Sequence, residues 1–292
     1  LSAVEKAREI LEHLSNEIMS NPRIRVVQLF GSDSGFVVSH GVLATSTGVC
    51  DAALIPEVPF CTHGLTEHLV RAVFRREQRD VLGRTTLIQS HIPSSMVVMA
   101  ETAIPIDALD YENAPAVGLT ATEKEALEEF HENRKAGRRI EGRTPDELRD
   151  AGLKVVNVAI QMHIEHTIVK VQKELQLAGN LLPIIDWARL PKKTLSSEPR
   201  HLLRATPPNA LDLITAQRLG VLAVDNALAG YSDFMISQWL TEYVLVPLEL
   251  VTLGRKRVPE RGMFWKSVLA KTGQPARMLC GQCRSKYQWL SQ

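Results

Sequence analysis

Ile24-Arg-Val-Val-Gln-Leu-Phe30-Gly-Ser-Asp-Ser-Gly35-Phe36 decides the class of fold. A short, mostly apolar run that stops at a small-residue turn reads as a strand buried on both faces. The turn Gly31-Ser-Asp-Ser-Gly35 opens onto a helix expected from 36 to about 46. Upstream, Val4, Ala7, Leu11, Leu14 and Ile18 recur at helical spacing. Downstream, Ala52-Ala-Leu-Ile55 reads as a strand that stops at Pro56, since proline cannot donate to a sheet ladder. A helix follows from 62 to about 80, with Leu65, Leu69, Ala72 and Val73 inside and Arg71, Arg75, Arg76 and Arg79 outside; Met96-Val-Val-Met-Ala100 supplies a third strand. Buried strands separated by helices imply an α/β fold with a doubly wound, mostly parallel sheet.

After Glu101 the character changes to long charged helices, one from 123 to 135 capped by Thr120 or Thr122, another from about 145 to 177 with a possible bend at Gly152. We read 104–196 as an α-helical insertion between a first α/β part, 1–103, and a closing part, 197–292. The closing part holds an amphipathic helix from about 210 to 229, with Ile214, Leu219, Leu222 and Ala223 facing inward, ended by Gly230. The strands Phe234-Met-Ile-Ser237 and Glu242-Tyr-Val-Leu-Val246 follow, then a basic tail with Phe264 and Trp265.

The 292 residues carry a net charge of +1, with 45% hydrophobic and 23% charged residues. That balance suits a soluble globular protein and leaves no cationic excess for binding nucleic acid by counterion release. The longest apolar run, Tyr243-Val-Leu-Val-Pro-Leu248, is too short to cross a bilayer. With four cysteines, two of them scattered at 50 and 61, the chain is expected to be cytoplasmic. It starts at Leu1 in mid-helix, which reads as the interior of a longer protein.

Several residues carry chemistry. His201-Leu-Leu-Arg204-Ala-Thr-Pro-Pro-Asn-Ala-Leu-Asp212 sets an imidazole and a guanidinium in a Pro-rich loop before a helix, a grip for a phosphate or else a solvated turn. The loop from Gly31 to Gly35 can point backbone N–H groups at a phosphate, or its glycines can serve turn geometry alone. Glu101 ends a buried strand at the carboxyl edge where ligands bind in open α/β sheets, and can accept hydrogen bonds from sugar hydroxyls or simply be solvated. His163, Glu165 and His166 match no zinc-helix spacing and read as helix surface. Cys280-Gly-Gln-Cys283 has no second CxxC and no nearby histidine, so no metal site is assigned.

Taken in order, these segments resemble the 6-phosphofructokinases over 26–101 and 198–275. Gln28-Leu-Phe-Gly-Ser32-Asp-Ser-Gly-Phe36 looks like that family's Met-Gly-Arg loop, and Leu54-Ile-Pro-Glu-Val-Pro-Phe60 like its Ile-Pro-Glu strand end. Val98-Met-Ala-Glu101 resembles the strand ending in a sugar-binding glutamate, and Arg204 followed by Asp212 and Arg218-Leu-Gly220 the closing sugar-phosphate loop and helix. The resemblance implies that Arg23 reaches the sugar 6-phosphate across a subunit interface, that His201 and Arg204 hold it within the subunit, and that Glu101 accepts from sugar hydroxyls. Phe30, Gly31 and Ser32 stand at the Met, Gly and Arg of the family loop. A second bridging arginine has three candidates, Lys192, Lys193 and Arg200.

The implied activity is that of a 6-phosphofructokinase: phosphoryl transfer from ATP to O1 of fructose 6-phosphate, in glycolysis, by a homo-oligomer with active sites shared between subunits. The family's Gly-Gly-Asp-Gly-Thr loop and Thr-Ile-Asp-Asn-Asp segment are not in this sequence. The catalytic base and the ligands of Mg2+ and ATP, or pyrophosphate, are therefore expected outside it, and the isolated chain is expected to be inactive. A pyrophosphate-dependent phosphofructokinase is one alternative, and a non-catalytic sugar-phosphate-binding regulatory subunit is the other.

Overall fold

The computed structural model describes residues 1–31, 34–73, 76–79, 85–88, 94–138, 144–177, 193–254 and 256–286. The order is α1 (Ser2–Ser20), β1 (Ile24–Leu29), α2 (Phe36–Ala44), β2 (Ala52–Leu54), α3 (Thr62–Val73), β3 (Arg76–Arg79), β4 (Thr85–Ile88), β5 (Ser95–Ala100), a 3-10 turn (Ala108–Tyr111), α4 (Ala121–Lys135) and α5 (Asp146–Leu177). The closing part has β6 (Thr194–Ser197), α6 (Arg200–Arg204), α7 (Ala210–Leu228), β7 (Phe234–Trp239), β8 (Glu242–Pro247), α8 (Leu248–Thr252), α9 (Met263–Thr272) and α10 (Gly281–Lys286).

The central sheet is parallel, in the order β2-β5-β1-β6. Every residue of β1, β2 and β5 is buried, as predominantly apolar parallel strands covered on both faces must be, and the burial includes Arg25, Gln28 and Ser95. From β1 the chain crosses outward to β2, then returns to β5 and crosses the other way to β6. Right-handed crossovers require α2 on one face and α3 and α5 on the other. Accordingly α1 packs on α2, and α3 on α5. Edge strand β2 is closed by an amide: Gln274 donates to Ala53 O (3.0 Å) and accepts from Ala53 N (2.6 Å).

Four expectations change. The helix from 62 does not reach 80: α3 ends at Val73, and Arg76–Arg79 pair antiparallel with Thr85–Ile88. Arg76, Glu77 and Asp80 offer a further helical turn no apolar face to bury, whereas the Thr-Thr-Leu-Ile run suits a strand. The helical stretch from 104 shares the main core, with Val156, Ile160, Ile164, Ile168 and Val171 of α5 in one cluster with the strands. That stretch also ends in β6, a short polar edge strand whose residues are half-buried or exposed and leave no apolar signal in the sequence. Helix α7 carries no buried residue: Ile214 is exposed, Leu219, Leu222 and Ala223 half-buried, and the helix rests on β7. Conversely, Trp265 of the tail is fully buried, because α9 packs against α2 and β2.

Helix α5 runs unbroken through Gly152, where a Cβ would come within 2.3 Å of Ile104 Cδ1. Thr120 caps α4 in a reciprocal box with Glu123. Among the described residues no helix is long and apolar enough to cross a membrane.

Buried His131 on α4 has no hydrogen-bond partner for Nε2 among the described residues. Burial, with Arg134 and Lys135 nearby, pushes its pKa down to about 4. An unfolded histidine takes up its proton at about pH 6.5. Between those limits the unfolded chain binds the extra proton, so stability falls as pH drops from about 6.5 to about 4 and levels off below. The loss is expected to be about 3 kcal/mol, read from urea unfolding at stepped pH. His131→Met should flatten that part of the profile, and an unchanged slope would assign it to other groups.

Candidate functional site

Register places the site. In the parallel ladder Leu29 lies opposite Ala100 and Val27 opposite Ser197. The next residue of each long strand, Phe30 and Glu101, is therefore level at the carboxyl edge, and Arg200 follows just past β6. Because the connections from β1 and β5 leave in opposite directions, the crevice between these two strand ends is the topological switch point, where open α/β sheets bind ligands.

Glu101 is 5% exposed. An Arg200 Nη1 lies 4.0 Å from its Oε1, while Arg200 Nη2 pairs with Glu198 at 3.2 Å. Nε of Arg200 is buried without a hydrogen-bond partner among the described residues, a donor still to be satisfied. The guanidinium of Arg204 sits 5.8 Å from the Phe30 ring centroid, within cation–π range, and stays exposed. His201 is exposed on the same short helix. His201 and Arg204 thus ride on α6, one turn of helix, rather than on a loop. The polar stretch that follows leads into α7, whose N-terminus is capped from within: Asn209 accepts from Asp212 N at 2.9 Å. Asp212 in turn accepts from Ser2 N and Ser2 Oγ, at 2.7 and 2.5 Å. These bonds hold its carboxyl down at about pH 2 and dock α7 on α1.

The glycine loop is shaped by its own protein. A Cβ on Gly31 would lie 2.8 Å from Ser34 O, so the turn requires glycine. Gly35 N does not wait for a phosphate: it donates to both oxygens of Glu57, at 3.0 and 3.1 Å, and Glu57 also accepts from Val258 N at 2.9 Å. The start of α2 already holds an anion, the carboxylate after β2. The local pattern of Pro56-Glu57 does not assign Glu57 this role; an acid after the strand end, beside a glycine turn, is the available signal. Ser32 lies outside the described residues.

Arg23 is elsewhere. It precedes β1, at the amino edge, contacting Asn21 O (3.2 Å) and Glu17 (3.8 Å). Seven residue steps at about 3.3 Å each put it about 23 Å from Phe30. Lys193 is at the same amino edge, where its carbonyl accepts from Ile24 N at 3.0 Å. Lys192 lies outside the described residues, and of the three candidates Arg200 is the one seen at the carboxyl edge.

His163 is part of the packing: its Nε2 meets Tyr111 OH at 2.5 Å and its ring centroid lies 3.8 Å from that of His63, while Glu165 and His166 are exposed. Among the described residues the one grouping able to hold a metal is Cys61, Cys280 and Cys283. Soft sulfur donors do not match the hard oxygen set that magnesium takes, so that grouping is no fit for Mg2+ with ATP.

A family profile described as phosphofructokinase matches residues 1–227. The ATP-dependent 6-phosphofructokinase of Borreliella burgdorferi is 26% identical over 255 residues, covering 87% of this chain and 44% of the relative. That of Amycolatopsis methanolica is 26% identical over 279 residues, covering 94% and 48%. The solved structure of the pyrophosphate-dependent phosphofructokinase from Nitrosospira multiformis superimposes with a TM-score of 0.50 at 15% identity, over 94% of this chain and 54% of that one, a likeness of fold. This chain spans about half the length of the curated relatives it matches. With the profile matching most of its residues, including β1, Glu101 and the His201 to Asp212 segment, the chain belongs to the phosphofructokinase family.

Proposed function

We propose that this chain forms the fructose 6-phosphate side of an ATP-dependent 6-phosphofructokinase, a cytoplasmic glycolytic homo-oligomer. The observation that carries the reading is that Arg200 approaches Glu101 and Arg204 approaches Phe30, the residues that follow β5 and β1 at the carboxyl edge. In this reading the exposed His201 and Arg204 hold the 6-phosphate through charge-assisted hydrogen bonds, and Glu101 accepts from sugar hydroxyls with Arg200 beside it. Phe30, Gly31 and Ser32 stand, by sequence, at the positions of the family's loop and are assigned to substrate binding in this reading. Phosphoryl transfer rests on positioning and charge neutralisation around the transferred group; this chain contributes the positioning of the acceptor. Magnesium, ATP and the base that takes the O1 proton are assigned to residues outside these 292.

The distance of Arg23 from the crevice supports a shared site. An arginine at the amino edge cannot serve its own sheet's carboxyl edge, so its role is in the site of a neighbouring subunit. ATP is preferred to pyrophosphate because the named relatives with the greater sequence identity are ATP-dependent. Ser32 at the position of the family's arginine favours a second reading, a regulatory subunit that binds the sugar phosphate without turning it over.

Calorimetric titration with fructose 6-phosphate tests the site. Arg204→Ala should weaken binding by about 1.5–3 kcal/mol, the worth of a hydrogen bond to a charged group; an unchanged affinity removes Arg204 from the site. Sharing is tested by hybrids. Arg23→Ala and Arg204→Ala proteins, each weakened alone, should regain part of the wild-type binding once their subunits exchange, since some hybrid interfaces then carry both arginines. No recovery would place Arg23 outside the site. Tight binding by the whole protein without phosphoryl transfer would select the regulatory reading.

A further inference from the structure

Cysteine spacing in the sequence leaves Cys280 and Cys283 without a third ligand, but the fold supplies one from a position far back in the chain. Cys61 precedes α3, and its Sγ, with those of Cys280 and Cys283, forms a group whose members all lie within 4.8 Å of one another. Cys61 and Cys283 are buried and Cys280 is half-buried, so the cluster reaches solvent on one side. Two backbone amides point at Cys61 Sγ, Gly64 N at 3.3 Å and Cys280 N at 3.2 Å, and Cys283 N approaches Cys280 Sγ at 3.4 Å. N–H donors to sulfur favour the thiolate and orient it, as the outer partners of metal-bound thiolates do.

The surroundings are built for this crossing of chain segments. Cys61 N donates to Met278 O at 2.9 Å, and a Cβ on Gly64 would fall 2.4 Å from that same carbonyl. Glycine at 64 therefore lets the segment before Cys280 lie directly on the start of α3. Ile106, fully buried, lines the other side. A purely apolar contact would need none of the three sulfurs, and burial resists charging the thiols of Cys61 and Cys283, the more so beside another. A divalent cation reverses that penalty, because coordination deprotonates the thiols as it binds.

We propose that Cys61, Cys280 and Cys283 form a zinc site of three thiolates, with the fourth position open to water on the Cys280 side, that staples the C-terminal segment to α3. On binding, each thiol loses its proton to solvent as its sulfur coordinates the ion, with no change of oxidation state. Zn2+ is favoured over harder ions by its preference for sulfur, and a tetrahedral site with bonds of about 2.3 Å needs sulfurs about 3.8 Å apart. The observed cluster is compact enough for one ion and too compact for an iron–sulfur cluster, whose cysteines bind separate irons.

Titration of the reduced full chain with Co2+, under anaerobic conditions, tests the site. Expected is a thiolate-to-cobalt charge-transfer band with the visible absorption of tetrahedral cobalt, saturating at one equivalent and displaced by Zn2+. Cys280→Ser, at the least buried ligand, should lose that spectrum while keeping the wild-type circular dichroism. In Cys61→Ser the spectrum should be lost as well. Zinc should raise the melting temperature of the wild type and not that of Cys280→Ser. Absence of the band in folded, reduced wild type overturns the proposal. So does a wild-type spectrum in Cys61→Ser, which would leave Cys280 and Cys283 as an independent pair, and so does a disulfide among these cysteines that persists after reduction.

Discussion

The two-sided pairing of β1 is the constraint on which the rest depends. A strand buried on both faces must satisfy its whole backbone within the sheet, and β1 does so against β5 on one side and β6 on the other. That choice brings the ends of three strands to one edge and opens the crevice where the crossovers diverge. Arg25, buried in β1, reinforces the arrangement by donating to Ser197 Oγ of β6 at 2.9 Å and pairing with Glu17 of α1. A register slip of one residue would turn Phe30 and Glu101 to opposite faces and dismantle the site along with the core.

Along that edge, carboxylates divide the labour. Glu57 spends its charge inside the protein, tying the start of α2 to the closing segment through Gly35 and Val258. Glu101 is buried at the carboxyl edge with Arg200 beside it. His201 and Arg204 on α6 remain open to solvent, whereas a pre-formed ion pair would have to be broken before an anion could bind there. Placing them on one turn of helix rather than on a loop fixes their spacing with little entropy left to lose.

Much of the fold was legible because burial leaves a local record. The run 96–100 is apolar without interruption and 24–30 is broken only by Arg25 and Gln28, the Gly-rich turn and Thr120 mark helix starts, and Gly230 marks an end, each for reasons confined to a few neighbouring residues. Elements whose partners are distant were less legible. Strand β6 is polar and exposed at the edge, so it earns its hydrogen bonds from β1 without any apolar pattern of its own. Arg76–Arg79 followed a convincing helix and became a strand because β4 was there to pair with it. The amphipathic pattern of α7 predicted burial that the described residues do not provide.

For the site, sequence alone determined the chemistry available: a histidine, arginines, a glutamate after a buried strand, a glycine turn, and four cysteines, in an order that matched one family. Which of these became neighbours was decided by the tertiary structure. Parallel strands place side by side residues that are far apart in the chain, so Arg200 reaches Glu101, Arg204 reaches Phe30, and Arg23 is left at the opposite edge. The same long-range folding carries Cys61 to Cys280 and Cys283. Periodicity and capping act over one or two turns of chain, whereas contacts between distant segments follow from register and crossover direction, which only the assembled sheet defines.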